Sequence, residues 1–180
     1  MPTNEEARIR HDFHQIAGFP GVTGCIDCTH VCIQSPGGDN AELFRNRKGY
    51  FSINVQAVCD TNLRFISLVA QWPGSVHDSR IFYNSSLCAI FENEEIGGIL
   101  LGDNGYPNKW YLLTPILNLQ TAQERRYNIA HMTTRNTIER SFGVWKRRFP
   151  CLRGLRSTMA TNLTIIVATA VLHNFAITHR

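Results

Sequence analysis

Three carboxylates stand where they could work together. Asp27 lies inside VTGCIDCTHVCI (22–33), a run of β-forming and small residues. Asp103 ends the apolar stretch GGILLGD (97–103) and is followed at once by Asn-Gly-Tyr-Pro. Glu139 sits in TTRNTIERSFGVWKRRF (133–149), with 35 residues between it and Asp103. An ionised carboxylate in an apolar setting is costly, and several together repel one another. A hard divalent cation removes both penalties, and Mg²⁺ accepts an all-oxygen ligand set. Two such ions roughly 3.5–4 Å apart can stabilise the attacking and leaving oxygens of a phosphodiester displacement. Each acid also has an ordinary use. Asp27 could bond to Thr29 or His30, Asp103 could open the Asn104-Gly105 turn, and Glu139 could pair with Arg135 or answer Asn136 as a cap.

A fourth acid, Asp78 in GSVHDS (74–79), is the rival for the second position. With Ser75 as N-cap, it falls three residues on as a capping-box acid, which explains it without a metal. The pair Cys25–Cys28 forms a CxxC, which raises a redox or zinc reading. No second pair stands at zinc-site spacing, and the motif lies in an extended run instead of opening a helix. The six cysteines therefore read as small buried hydrophobes. No nucleophile motif such as GxSxG occurs.

The elements that must position these acids can be read in outline. Residues 4–17 form an amphipathic helix, and 22–33 a strand. YFSINVQAVCD (50–60) alternates strictly, with Phe51, Ile53, Val55, Ala57 and Cys59 on one side and Ser52, Asn54 and Gln56 on the other. With LRFISLVAQW (63–72) it makes a β-hairpin. A helix runs from Ser75 to about Glu92, and 97–103 is a short strand buried on both faces. Residues 105–118 read as loop, and 119–129 as a further helix. Ile138, Phe142, Trp145 and Phe149 line one face of a helix, and 158–176 forms the last one. The order α, β, β, β, α, β, α, α predicts a mixed sheet with flanking helices, an α/β architecture.

The 180 residues suit one domain, divided as a short N-terminal segment (1–19) and a main unit (20–178). The chain is 43% hydrophobic and 18% charged, which excludes a disordered polymer. Residues 1–120 hold 8 basic and 12 acidic side chains, while 121–180 hold 10 and 2. An acidic body with a basic C-terminal third suits a polyanion meeting one face. Lys146, Arg147 and Arg148, which follow Glu139 on its helix, are the candidate phosphate contacts, with Arg45, Arg47 and Lys48 as a second basic loop. The polar N-terminus does not resemble a signal peptide, and the apolar run near the C-terminus reads as a core helix. The expected location is the nucleus or cytoplasm.

The stretches GCIDCTH, YFSINVQAVCD, WPGSVHDSRIF, LLGDNGYP, RNTIERSFGVWKRRFPCL and VLHNFAI together resemble the PIF/Harbinger transposases and the nucleases derived from them. The resemblance covers about residues 20–178. It implies an RNase H-like fold and an Asp-Asp-Glu metal site whose members map to Asp27, Asp103 and Glu139. It implies Mg²⁺ or Mn²⁺ as cofactor and DNA as substrate, with cleavage releasing a 3′-hydroxyl. It further implies action as a homodimer or larger assembly, with a Myb-like DNA-binding protein as partner. Family members are nearly twice as long and carry a helical DNA-binding region before the catalytic part. The expectation here is thus an isolated or truncated catalytic unit. The other reading is a domesticated domain that binds DNA or protein and cuts nothing.

Overall fold

The computed structural model describes residues 4–93 and 97–179. Its frame is a five-stranded sheet in the order β3-β2-β1-β4-β5. The strands are β1 (Val22–Cys32), β2 (Ser52–Cys59), β3 (Phe65–Pro73), β4 (Ile99–Leu101) and β5 (Leu112–Leu113). β1, β2 and β3 run antiparallel, while β4 and β5 run parallel to β1. This mixed α/β sheet with flanking helices is the arrangement expected of an RNase H-like fold.

The alternation in β2 does what period-two patterning requires. Ile53, Val55, Ala57 and Cys59 enter one core, shared with Phe13 of helix α1 (Asn4–Ala17), Ile138, Phe142 and Trp145 of α4 (Ala122–Arg148), and Ile166 of α5 (Met159–Thr178). The opposite side is buried as well, and every residue of β2 is covered. There Ile26, Val58 and Leu100 meet Phe82 of α2 (Asp78–Tyr83) and Phe91 of α3 (Ser86–Glu92). The sheet is therefore clad on both faces, which is why polar Ser52, Asn54 and Gln56 are buried.

Several boundaries differ from the sequence expectation. The helix foreseen from Ser75 to Glu92 is two helices. His77, not Ser75, caps α2 through a bond from Ser79 N–H, and Ser85 caps α3 by accepting from Cys88 N–H. The supposed loop at 105–118 contains β5, which pairs with β4 for only two residues and so carries no readable periodicity. The two helices foreseen at 119–129 and around 138–149 are one helix of 27 residues. Its start is fixed by a capping box in which Thr121 and Glu124 satisfy each other's backbone N–H. The two thiols of CIDC enter different cores: Cys25 joins the α4 side and Cys28 packs against the α2 side. Residues three apart on a strand face opposite ways, so they form neither a redox pair nor a two-cysteine metal clip. All six cysteines are free.

Candidate metal centre

β4 stops at Leu101 opposite Cys25, while β1 runs on beside β2 alone. This leaves a fork in the sheet one step past the end of β4. Asp27 and Asp103 stand at that fork, and the N-terminus of α2 delivers Asp78 to it. One carboxylate oxygen from each of Asp27, Asp78 and Asp103 lies within 4.8 Å of the others, and all three residues are half-buried.

Each carboxylate is anchored through Oδ1. Asp27 accepts from Cys28 N–H at 2.7 Å, Asp78 from the Asn54 amide at 3.0 Å, and Asp103 from Gly105 N–H at 2.9 Å. The last bond is an Asx turn, so Asp103 does open the Asn104-Gly105 turn. The turn aims the carboxylate into the cluster; the ordinary and chemical readings of Asp103 are one structure. A Cβ added at Gly105 would lie 3.0 Å from Asp103 Oδ1 and 3.5 Å from Asp78 Oδ2. Glycine there keeps the space between the acids open.

Three carboxylates so close are under-compensated. Among the described residues, the cation that contacts the cluster is Arg135 of α4, which donates to Asp27 Oδ2 at 2.9 Å and to Glu139 Oε1 at 2.6 Å. Burial pushes the Asp27 carboxyl up to about 6, with Asp103 and Asp78 adding to the rise and Arg135 and Cys28 N–H opposing it. Burial also holds the Cys28 thiol and the Tyr106 hydroxyl, which meet at 3.2 Å beneath Asp78, in their neutral forms. The donor set is all carboxylate oxygen, half-buried and short of positive charge. That chemistry fits a hard divalent cation.

The structure thus brings Asp27 and Asp103 together, as the sequence suggested, and adds Asp78. The capping role expected of Asp78 is not the one it fills, since its carboxylate is held by Asn54 from the neighbouring strand. Glu139 lies outside this close trio, with its side chain 53% exposed and Arg135 spanning it and Asp27. Sequence reasoning gave Arg135 only its helix pairing with Glu139; its reach across 108 residues to Asp27 has no local signature. The one available signal for Asn54 was a polar position on a strand bounded by apolar neighbours.

The three foreseen phosphate contacts divide. Lys146 turns inward and donates to Thr29 Oγ1 and His30 C=O, each at 2.7 Å. Arg148 donates to the His173 carbonyl at 3.1 Å. Arg147 is exposed. Trp145 is fully buried, as its place on the apolar stripe required.

A fork between parallel β1 and β4, with one acid on β1, one just past the end of β4, and a long helix over it, defines a class. The chain belongs to the DDE superfamily endonuclease family, whose model matches residues 26–174. It is 36% identical over 176 residues to the human protein named "Putative nuclease HARBI1", an alignment covering 95% of this chain and 50% of that protein. The mouse protein of the same name is 37% identical over 186 residues, covering 99% of this chain and 53% of its own length. "Protein ALP1-like" of Arabidopsis thaliana is 27% identical over 187 residues, covering 94% and 46%. The chain spans about half the length of the curated relatives it matches. No solved structure matches it.

Proposed function

We propose that this chain is the catalytic unit of a divalent-metal-dependent DNA endonuclease of the Harbinger type. The observation that carries the reading is the trio Asp27, Asp78 and Asp103, gathered at the sheet fork with too little positive charge around it. Those three residues would hold Mg²⁺ or Mn²⁺, with Glu139 one helical turn beyond Arg135 as a further ligand. A cation held there would supply Lewis-acid stabilisation of charge on the phosphate oxygens. Asn54, Gly105 N–H and Cys28 N–H fix the three carboxylates before substrate arrives, so little reorganisation is left for the reacting complex. Water would add to phosphorus in line as the 3′ oxygen departs, leaving a 3′-hydroxyl and a 5′-phosphate. Exposed Arg147, near the end of the helix that carries Glu139, would hold the DNA backbone. The reading includes a location in the nucleus or cytoplasm and, as the resemblance implies, assembly with a second copy or a Myb-like DNA-binding protein.

Nicking of supercoiled plasmid in Mg²⁺ or Mn²⁺ tests it, with Asp27→Asn, Asp78→Asn, Asp103→Asn and Glu139→Gln beside the wild type. Loss of nicking in all three aspartate variants is expected. Retained nicking in Asp78→Asn would restrict the site to Asp27 and Asp103. Absence of both nicking and Mn²⁺ binding in the wild type would refute the enzyme reading and leave a binding module.

A further inference from the structure

Beside the acids lies a feature that the proposed cleavage chemistry does not use. A hollow of about 190 Å³ opens next to Asp78 and is lined by His30, Arg47, Lys48 and the 74–77 loop. His30 also lines a second hollow of about 320 Å³, with Tyr50, Lys146 and Arg153. Cys32 and Arg153 in turn pass into a third, of about 500 Å³, that reaches Arg156. The first two share His30 and the last two share Cys32 and Arg153, so the hollows follow one another as a trough along the end of β1, away from the acids.

The charge along this trough is one-sided. Asp78 is the sole carboxylate among its described walls, and it stands at the end nearest the metal centre. Arg47, Lys48, Arg153 and Arg156 are exposed and make no salt bridge among the described residues. Their backbone is not loose. Asn46 N–H bonds Tyr50 C=O and the Asn46 amide bonds Ser52 Oγ, which closes the 45–50 turn. Leu155 N–H bonds Cys32 C=O and Gln34 N–H bonds Leu155 C=O, which pins Arg153 and Arg156 to the end of β1. Tyr50 stands among these cations with 36% of its surface open, its ring set edge-on to His30 at 6.4 Å.

We infer that this trough is a track for one unpaired strand of DNA, whose phosphates lie along Arg47, Lys48, Arg153 and Arg156 and one of whose bases stacks on Tyr50. The inference rests on the DNA reading above and adds the form of the substrate, a single-stranded or frayed segment beside the cut. A row of cations interrupted by an open aromatic ring suits an unpaired strand, because a stacked duplex has no base face to offer the ring.

Fluorescence anisotropy of a labelled 20-nucleotide strand and of its duplex, in EDTA, tests the track without cleavage. The wild-type chain is compared with Tyr50→Ala, Tyr50→Phe, Lys48→Ala/Arg153→Ala and, as a basic residue outside the trough, Arg126→Ala. Tyr50→Ala should weaken strand binding about tenfold and duplex binding less than twofold, with Tyr50→Phe restoring the strand affinity. The double variant should lower the salt dependence of strand binding by about 0.7 per cation removed, and Arg126→Ala should leave it unchanged. Equal losses for strand and duplex in Tyr50→Ala, or a loss in Arg126→Ala matching the double variant, would overturn the track. Metal-dependent nicking and Mn²⁺ binding are measured separately. A track that fails while those persist leaves the nuclease reading intact.

Discussion

At the scale of the residue, Asp27 carries the largest consequence. Its carboxyl titrates near 6 in the fold, chiefly because it is buried, against about 4 in an unfolded chain. The folded state then binds more protons than the unfolded state between those values. The stabilisation this group contributes is complete below about pH 4 and is lost as pH rises through about 6. In metal-free buffer, Asp27→Asn should therefore gain thermal stability relative to wild type as pH is raised from about 4 to 7; a flat difference would contradict the burial argument. Arg135 is the other decisive residue. Its side chain is 15% exposed and bridges Asp27 and Glu139, so Arg135→Met leaves a half-buried carboxylate without its partner. A loss of about 3 kcal/mol is expected in denaturant melts at pH 7, with a smaller loss at pH 5, where Asp27 is protonated. The same variant should bind Mn²⁺ more tightly, because the guanidinium no longer competes for Asp27; calorimetric titration reads this directly. Asp27 and Asp103 were legible because an acid inside or at the tip of an apolar strand is conspicuous. Asp78 was legible only as a rival to Asp103, because an acid in the first turn of a helix has a commonplace electrostatic explanation. Only the closing of α2 over the fork gives it a second role.

At the scale of the element, the loop that feeds α2 sets where Asp78 arrives. Gly74 packs against β2 so closely that an added Cβ would collide with Ser52 Oγ and lie 2.6 Å from the Phe44 carbonyl oxygen. Gly74→Ala should cost about 1–3 kcal/mol by overpacking. It should also weaken Mn²⁺ binding, since the 74–77 turn must shift and carries Asp78 with it. A variant destabilised to that extent with unchanged Mn²⁺ affinity would show that the turn does not position the acid. Strand β2 could be read from its strict alternation, and the last helix from its long apolar run, although Val167, Val171, Leu172 and Phe175 of that helix are exposed. The first half of α4 could not, since Ile129 and Met132 are exposed there while His131 and Thr134 are buried. Its polarity pattern runs against the face it packs, and the capping box at Thr121 is what fixes where it begins. β5 was invisible for a different reason: two residues paired by a neighbour have no period.

At the scale of the whole molecule, the fold gathers acids from β1, the turn after β4 and α2 at one fork, so the metal-free protein carries repulsion that unfolding relieves. A cation bound only by the folded state shifts the folding equilibrium by mass action, about 2.7 kcal/mol at a hundred times its Kd. For a chain of this size each kcal/mol moves Tm by about 2–4 °C. Saturating Mn²⁺ should thus raise Tm by roughly 5–11 °C at pH 7. Asp103→Asn and Asp78→Asn should lose most of that rise. Glu139→Gln should lose less, because Glu139 already has Arg135 as partner and stands outside the close trio. A rise of equal size in all four proteins would mean the cation binds elsewhere. An equal and complete loss in Glu139→Gln would mean that binding draws Glu139 off Arg135 and into the centre, so that the apo arrangement, with the guanidinium holding both acids, is a resting state the metal must open.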